Sequence, residues 1–239
     1  MIKNKTAIIG DVHSHHHDPQ AYQAALDFVA QFKPETLVFN GDIFDFESPS
    51  SYTKRPETLL RLQEEIDIGV ELIARMCRAA PKAKKIFIGG NHEDRLRRLL
   101  CNKAQALLTL DCLTFEKLLS LDKLGFETVL RYGKRYKHHG ILIEHGDPFR
   151  KGSGSTARAM IDLRGMSGVS GHCHRLAKVT KNNEGGRIFW IESGCLCGLN
   201  PGYIQGKPDW SHGFSIGYTV PGHGFEAFPV EIVDGVILY

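Results

Sequence analysis

Short apolar runs alternate with amphipathic stretches through most of this chain, and that alternation predicts strand–helix–strand units. Thr6 to Gly10 reads as a buried parallel strand. Asp18-Pro19 then opens a helix, with Asp18 as its N-cap and Pro19 at the first helical position. Tyr22, Ala25, Leu26, Val29 and Phe32 recur at helical spacing, and Lys33-Pro34 closes the element. A second strand, Leu37 to Asn40, completes a βαβ unit. A polar loop from Glu47 to Pro56 leads into a helix over about 57–80, its apolar face marked by Leu59, Leu62, Ile66, Ile73 and Met76. Ile86 to Ile88 is a third strand, and another helix opens at Asp94. Residues 111–140 read as short helical pieces and then a basic stretch, Arg131 to His139. Ile141 to Glu144 is a fourth strand, and a helix is expected from about Ala157 to Leu163. After His174 the pattern turns to antiparallel strands: Leu176 to Thr180, Arg187 to Ile191, Phe214 to Val220, Phe225 to Val233 and Val236 to Leu238. No repeat or composition break divides the chain, so one α/β domain is expected over residues 1–239.

Composition narrows the class without naming a function. The 239 residues are 42% hydrophobic and 24% charged, which is ordinary for a globular chain. A formal net charge of +3 does not by itself require a polyanionic partner. No window reaches the roughly 18 apolar residues of a membrane span, so no membrane partner is expected. Met1 to Lys5 runs straight into the first strand, so no signal peptide is expected. The 6 cysteines are scattered through regular elements, which suits reduced thiols and a cytoplasmic location. Cys195 and Cys197 are too closely spaced for a usual zinc pair and are read as structural.

The chemistry lies where the strands stop. Five short runs end in a similar way: Gly10-Asp11-Val12-His13, Gly41-Asp42, Gly90-Asn91-His92-Glu93, His145-Gly146-Asp147 and Gly171-His172-Cys173-His174. Sheet-based folds place their sites at strand ends, on loops held by a rigid scaffold. Asp11, His13, Asp42, Asn91, His145, His172 and His174 are the candidate metal ligands. Carboxylate, imidazole and amide oxygen suit Mn, Fe, Zn or Ni, with manganese the first choice. Seven ligands exceed what one such ion takes, and with one bridging carboxylate they suit two. Two ions about 3.5–4 Å apart clamp the attacking and leaving oxygens of a phosphoryl displacement and lower the pKa of a bridging water.

In their order, these five segments resemble the signature of the calcineurin-like metallophosphoesterases, over about residues 6–195. The resemblance implies a four-layer αββα sandwich with two central mixed β-sheets and the site at the C-terminal ends of strands. It implies that Asp11, His13 and His174 hold one ion, that Asn91, His145 and His172 hold the other, and that Asp42 bridges them. His92 would protonate the leaving group or stabilise the phosphoryl oxygens, a role suited to an imidazole beside a ligand. Asp45 matches the carboxylate that orients that histidine in some branches, and is taken with His92 as catalytic. Glu93 reads as a supporting residue, and His15, His16 and His17 as loop residues.

The sequence departs from the protein-phosphatase branch at two places, one of them the longer spacing from Asp42 to Asn91 that the helix over about 57–80 imposes. Asp45 is followed by Phe46-Glu47, where that branch carries a phosphate-binding arginine. Arg95 and Arg175 are the expected replacements, with Asn91 also facing substrate, because arginine forks match phosphate oxygens. Arg97 and Arg98 read as a solvated helix face. The expected partner is a phosphoester: a nucleotide or nucleic-acid phosphodiester first, a phosphomonoester second, and a non-catalytic scaffold of the same fold third. The cations and aromatics of Arg131 to His139, with Arg150 and Lys151, keep nucleic acid among the partners, against the plainer reading of a solvated loop. Trp210 and His212 are candidates to line the cleft.

Overall fold

A computed structural model describes residues 2–51, 61–130, 133–201 and 207–238. Its first sheet grows from the expected parallel strands. β1 (Lys3–Ile9), β2 (Thr36–Asn40) and β3 (Lys84–Ile88) run parallel, and β4 (Phe126–Val129) joins them in the same sense. β10 (Gly213–Val220), β11 (Gly224–Val233) and β12 (Val236–Leu238) extend the other edge antiparallel. The second sheet has the order β5-β6-β7-β9-β8, with β5 at Tyr136–His138, β6 at Ile141–Glu144, β7 at Gly168–Ser170, β8 at Leu176–Asn183 and β9 at Gly186–Ser193. Both sheets are mixed.

The layering follows from side chains that alternate along each strand. Ile8, Val38, Ile86 and Ile88 of the first sheet meet Ile141, Ile143, Val169, Phe189 and Ile191 of the second in one buried cluster. Ala7, Ile9, Leu37, Phe39 and Phe87 point the other way, against α1 (Pro19–Phe32) and α2 (Leu62–Ala79). Trp190 on the outer face of the second sheet packs on Ala157, Met160 and Ile161 of α5 (Ser155–Arg164). Strands buried on both faces explain why the sequence shows continuous apolar runs rather than alternation. The result is the expected helix–sheet–sheet–helix sandwich.

Local signals hold at α1. Asp18 accepts hydrogen bonds from the Gln20 and Ala21 amides, both at 2.9 Å, and Lys33 ends the helix with φ 51°. The helix expected over 57–80 is seen as α2, residues 57–60 lying outside the described residues. Two strands depart from the sequence pattern. Residues 111–140 carry β4 and β5 besides α4 (Phe115–Leu118). Phe126-Glu127-Thr128-Val129 and Tyr136-Lys137-His138 are short and mixed in polarity, and pairing with β3 and β6 decides them rather than periodicity. No helix among the described residues is long and apolar enough to cross a membrane.

Candidate metal centre

Five strand ends deliver the candidate ligands to one edge of the two sheets. Asp11 and His13 follow β1, Asp42 and Asp45 follow β2, and Asn91 and His92 follow β3, ahead of α3 (Glu93–Lys103). His145 follows β6, and His172 and His174 follow β7. The chain turns back sharply at these positions. Asp11, His13, Asp42, His172 and His174 have φ of 51°, 53°, 50°, 69° and 57°, a left-handed conformation uncommon outside glycine. Such conformations cost of order 1–3 kcal/mol each and cluster at functional sites. The flanking glycines are required by space: a Cβ at Gly90 would run into Asp42 Oδ1, and one at Gly171 into Asp11 Oδ2.

The ligand-type atoms converge in two overlapping groups. Asp11, His13 and Asp42 bring one atom each within 4.8 Å of the others, and so do Asp42, His145 and His172. On the first side His174 Nε2 lies 3.2 Å from Asp11 Oδ1 and 3.1 Å from His13 Nε2. On the second, His145 Nε2 lies 3.1 Å from Asp42 Oδ2, while Asn91 Oδ1 stands 3.1 Å from His145 Nε2 and 2.9 Å from His172 Nδ1. Asp42 is shared by the two groups and is 2% exposed. Burial pushes the Asp42 carboxyl up, but the charges of His145 and His92 outweigh it and hold it well below its usual range. The reciprocal effect lifts His145 to about 10, against its burial. His13 rises to about 9 because its hydrogen bond to Asp45 overcomes burial. Lone pairs from three oxygen-bearing and four imidazole side chains aimed inward fit divalent cations.

His92 is held rather than free. Its Nδ1 lies 2.7 Å from Asp45 Oδ1, its Nε2 is 3.7 Å from Asp42 Oδ2, and Arg95 donates to Nε2 at 3.1 Å. Asp45 Oδ1 also meets His13 Nδ1 at 3.0 Å, so one carboxylate orients both a candidate ligand and the imidazole beside it. Burial opposes the charge on Asp45, but hydrogen bonds from His13 and His92 hold it far below its ordinary pKa. Partners that fix an imidazole beside a metal are typically worth 10–100-fold. Asp45→Asn is therefore expected to lower metal affinity or turnover by about that range, and an unchanged pair of values would remove Asp45 from both roles.

Two buried glutamates shape the loop after β2. Glu93 accepts from the amides of Asp42, Ile43, Phe44 and Gly90 at 2.8–3.1 Å, pinning the turn that aims Asp42. Glu65, from α2, accepts from the Asp45 amide at 2.8 Å and from the Phe46 amide. Burial pushes Glu65 up to about 7 from an ordinary 4.5. Folding thus favours its protonated form, a contribution present in full below the unfolded pKa and lost as pH rises through about 7. The amide oxygen of Glu65→Gln can accept the same two bonds without a charge. Its stability relative to wild type is expected to rise by of order 2 kcal/mol between about pH 5 and about pH 8. Denaturant unfolding at both pH values checks this, and a constant difference would contradict it.

The remaining expected residues already have partners in the fold. Arg175 Nε donates to Asp209 at 3.2 Å and its Nη1 to the Arg150 carbonyl at 2.9 Å, with the guanidinium 4.7 Å from the Phe149 ring. Arg95 is beside the centre, but its Nη1 donates to the Asp45 carbonyl at 2.8 Å. Arg97 and Arg98 pair with Asp94. Trp210 packs edge-on against His174 with ring centroids 4.2 Å apart, and His212 Nε2 reaches the Cys197 carbonyl at 2.9 Å. In the basic stretch, Arg131 and Tyr132 lie outside the described residues. Arg135 lies 3.6 Å from Glu144, and His138 is buried against Thr6 at 2.9 Å. Cys197, read from sequence as purely structural, stands at the centre's border: its Sγ is 3.7 Å from His174 Nδ1. A hydrogen bond from Cys195 and the charge of His174 hold that thiol well below its ordinary pKa despite burial. Only the nearness of the pair to the last strand end hinted at this.

A two-sheet sandwich whose strand ends gather aspartates, histidines and an asparagine is the architecture of a metallophosphoesterase. The chain belongs to the calcineurin-like phosphoesterases, whose family model matches residues 5–189. Among solved structures it is similar to vacuolar protein sorting 29 from Cryptosporidium parvum, with 14% identity, TM-score 0.51, and 100% of this chain and 96% of that one covered. It is also similar to Vps29 from Chaetomium thermophilum, at 8% identity and TM-score 0.50, covering 100% and 94%. The Yfce phosphoesterase from E. coli matches at 16% identity and TM-score 0.42, covering 98% and 97%. No curated protein sequence matches the chain.

Proposed function

We propose that this chain is a two-metal phosphoesterase whose substrate is a phosphodiester of a nucleotide or nucleic acid, acting as one domain in the cytoplasm. The observation that carries the reading is the convergence of seven ligand-type side chains on two groups that share Asp42. Asp11, His13 and His174 would hold one ion, Asn91, His145 and His172 the other, with Asp42 between them. When bound, the ions supply positive charge at the phosphoryl oxygens and a water of lowered pKa. The chain's own part is to position and to move a proton. His92 delivers a proton from Nε2 to the leaving oxygen, while Asp45 accepts from its Nδ1–H and fixes the ring. That delivery requires Arg95 to release Nε2, which then takes up a proton from solvent, and it frees Arg95 Nη2 to meet a phosphate oxygen. Asn91, whose Oδ1 stands 2.9 Å from His172 Nδ1, would meet substrate too.

The preference for a diester rests on charge. A monoester carries a second negative charge and favours a dedicated arginine fork. The buried Phe46 follows Asp45 where such an arginine would stand, and Arg175 is engaged by Asp209 and Arg150. Manganese is the proposed ion, the mixed set of three oxygen and four imidazole ligands also accepting Fe, Zn or Ni. The buried free thiols of Cys77, Cys173, Cys195 and Cys197 favour a reducing compartment. The test is turnover of bis-p-nitrophenyl phosphate against p-nitrophenyl phosphate by metal-stripped protein reloaded with manganese. Faster diester cleavage is expected. Faster monoester cleavage would assign a phosphatase instead, and no turnover of either with metal bound would favour a scaffold.

A further inference from the structure

A second group of ligand-type side chains lies beside the centre and has no part in the proposed reaction. His15 and His16 belong to the short 3-10 turn Ser14–His16, and Glu47 stands in the loop after β2. One ligand atom from each of His15, His16 and Glu47 lies within 4.8 Å of the other two. The two imidazole centroids are 3.8 Å apart with planes 43° from parallel. The His15 side chain is 9% exposed. Both of its ring nitrogens, and Oε2 of Glu47, are buried with no hydrogen-bond partner among the described residues. His15 Nε2 and Glu47 Oε2 stand 3.9 Å apart, too far for a hydrogen bond. Buried polar atoms are nearly always satisfied, so a His15 ring nitrogen and Glu47 Oε2, both orphaned and facing each other across 3.9 Å, ask for a common partner.

We propose that His15, His16 and Glu47 form a separate site for one divalent transition ion, zinc first, at the rim of the metal centre. Two imidazoles and a carboxylate are a familiar ligand set for zinc, at about 2.0–2.2 Å from the ion. Ligand atoms around one such ion lie roughly 3.3 Å apart, so atoms that all lie within 4.8 Å of one another close on an ion by small side-chain rotations. A fourth ligand is at hand: Asp45 Oδ2 lies 4.0 Å from His16 Nε2. The other oxygen of that carboxylate, Oδ1, holds His13 and His92. An ion at the rim therefore draws on the group that orients both, and links rim occupancy to the setting of His92. The site itself does not depend on whether the chain hydrolyses phosphoesters.

Zinc content separates this site from the main centre. Metal-stripped full-length protein is dialysed against zinc chloride, and bound zinc per chain is measured by elemental analysis for wild type, His15→Ala, Glu47→Gln and Asp42→Ala. His15→Ala and Glu47→Gln are each expected to bind one zinc fewer than wild type. Glu47→Gln keeps the side chain's shape, so a drop there alongside an unchanged circular dichroism spectrum is a loss of ligation. Asp42→Ala is expected to retain one zinc, with an X-ray absorption edge showing imidazole and oxygen neighbours. Unchanged zinc in both rim variants overturns the proposal, and so does an Asp42→Ala protein with no bound zinc. Weakened binding of inorganic phosphate in the rim variants, with zinc content intact, would assign the three residues to an anion instead.

Discussion

Asp42→Ala is expected to lose both ions of the main centre and at least about a thousandfold in turnover. The expectation rests on its position: Asp42 is the carboxylate common to both ligand groups, with Oδ2 3.1 Å from His145 Nε2 and Oδ1 accepting the His92 amide at 3.0 Å. It is 2% exposed, so no water replaces it readily. Metal ions supply several kcal/mol of transition-state stabilisation, and each 1.36 kcal/mol is tenfold in rate, which gives about three decades or more. The loss reaches beyond charge, because the His145 imidazole, raised to about 10 by its burial being outweighed by Asp42, forfeits its main partner. Elemental analysis after dialysis and steady-state rates are the readouts. Full metal content in this variant would refute the bridging assignment, whatever happens to the rate.

His92→Ala is expected to keep its metal and to lose about 10²–10⁴-fold in turnover on a substrate with a poor leaving group. His92 is not needed by either ligand group, and its Nδ1 is fixed by Asp45 at 2.7 Å. A leaving oxygen of high pKa needs a proton as it departs, whereas nitrophenolate leaves without one. The deficit should therefore shrink on p-nitrophenyl esters and remain large on alkyl or nucleoside esters. An equal deficit on both would point to electrostatic stabilisation of the phosphoryl oxygens rather than proton transfer. Unchanged turnover on both would remove His92 from the mechanism.

The parts legible in the sequence were those that a local pattern determines. Apolar runs buried on both faces, the Asp18-Pro19 helix start and glycine-terminated strand ends all follow from short-range chemistry, and the two mixed sheets with flanking helices follow from their order. The seven candidate ligands are legible because each lies within four residues of a strand end. What stayed hidden depends on tertiary contact. β4 and β5 owe their state to neighbouring strands, not to their own polarity. The engagement of Arg175 with Asp209 joins residues 34 apart, and no spacing rule announces it. Cys197 reads as an ordinary small buried residue until the fold brings its sulfur to His174. Likewise Glu65 looks like any charged helix residue until its carboxylate is seen capping the Asp45 turn.

Diffraction from crystals grown with manganese, collected for its anomalous signal, tests the central claim most directly. The account predicts two peaks about 3.5–4 Å apart. One should be bound by Asp11, His13 and His174, the other by Asn91, His145 and His172, with an Asp42 oxygen on both. A single peak, or peaks whose ligands leave out Asp42, would contradict it.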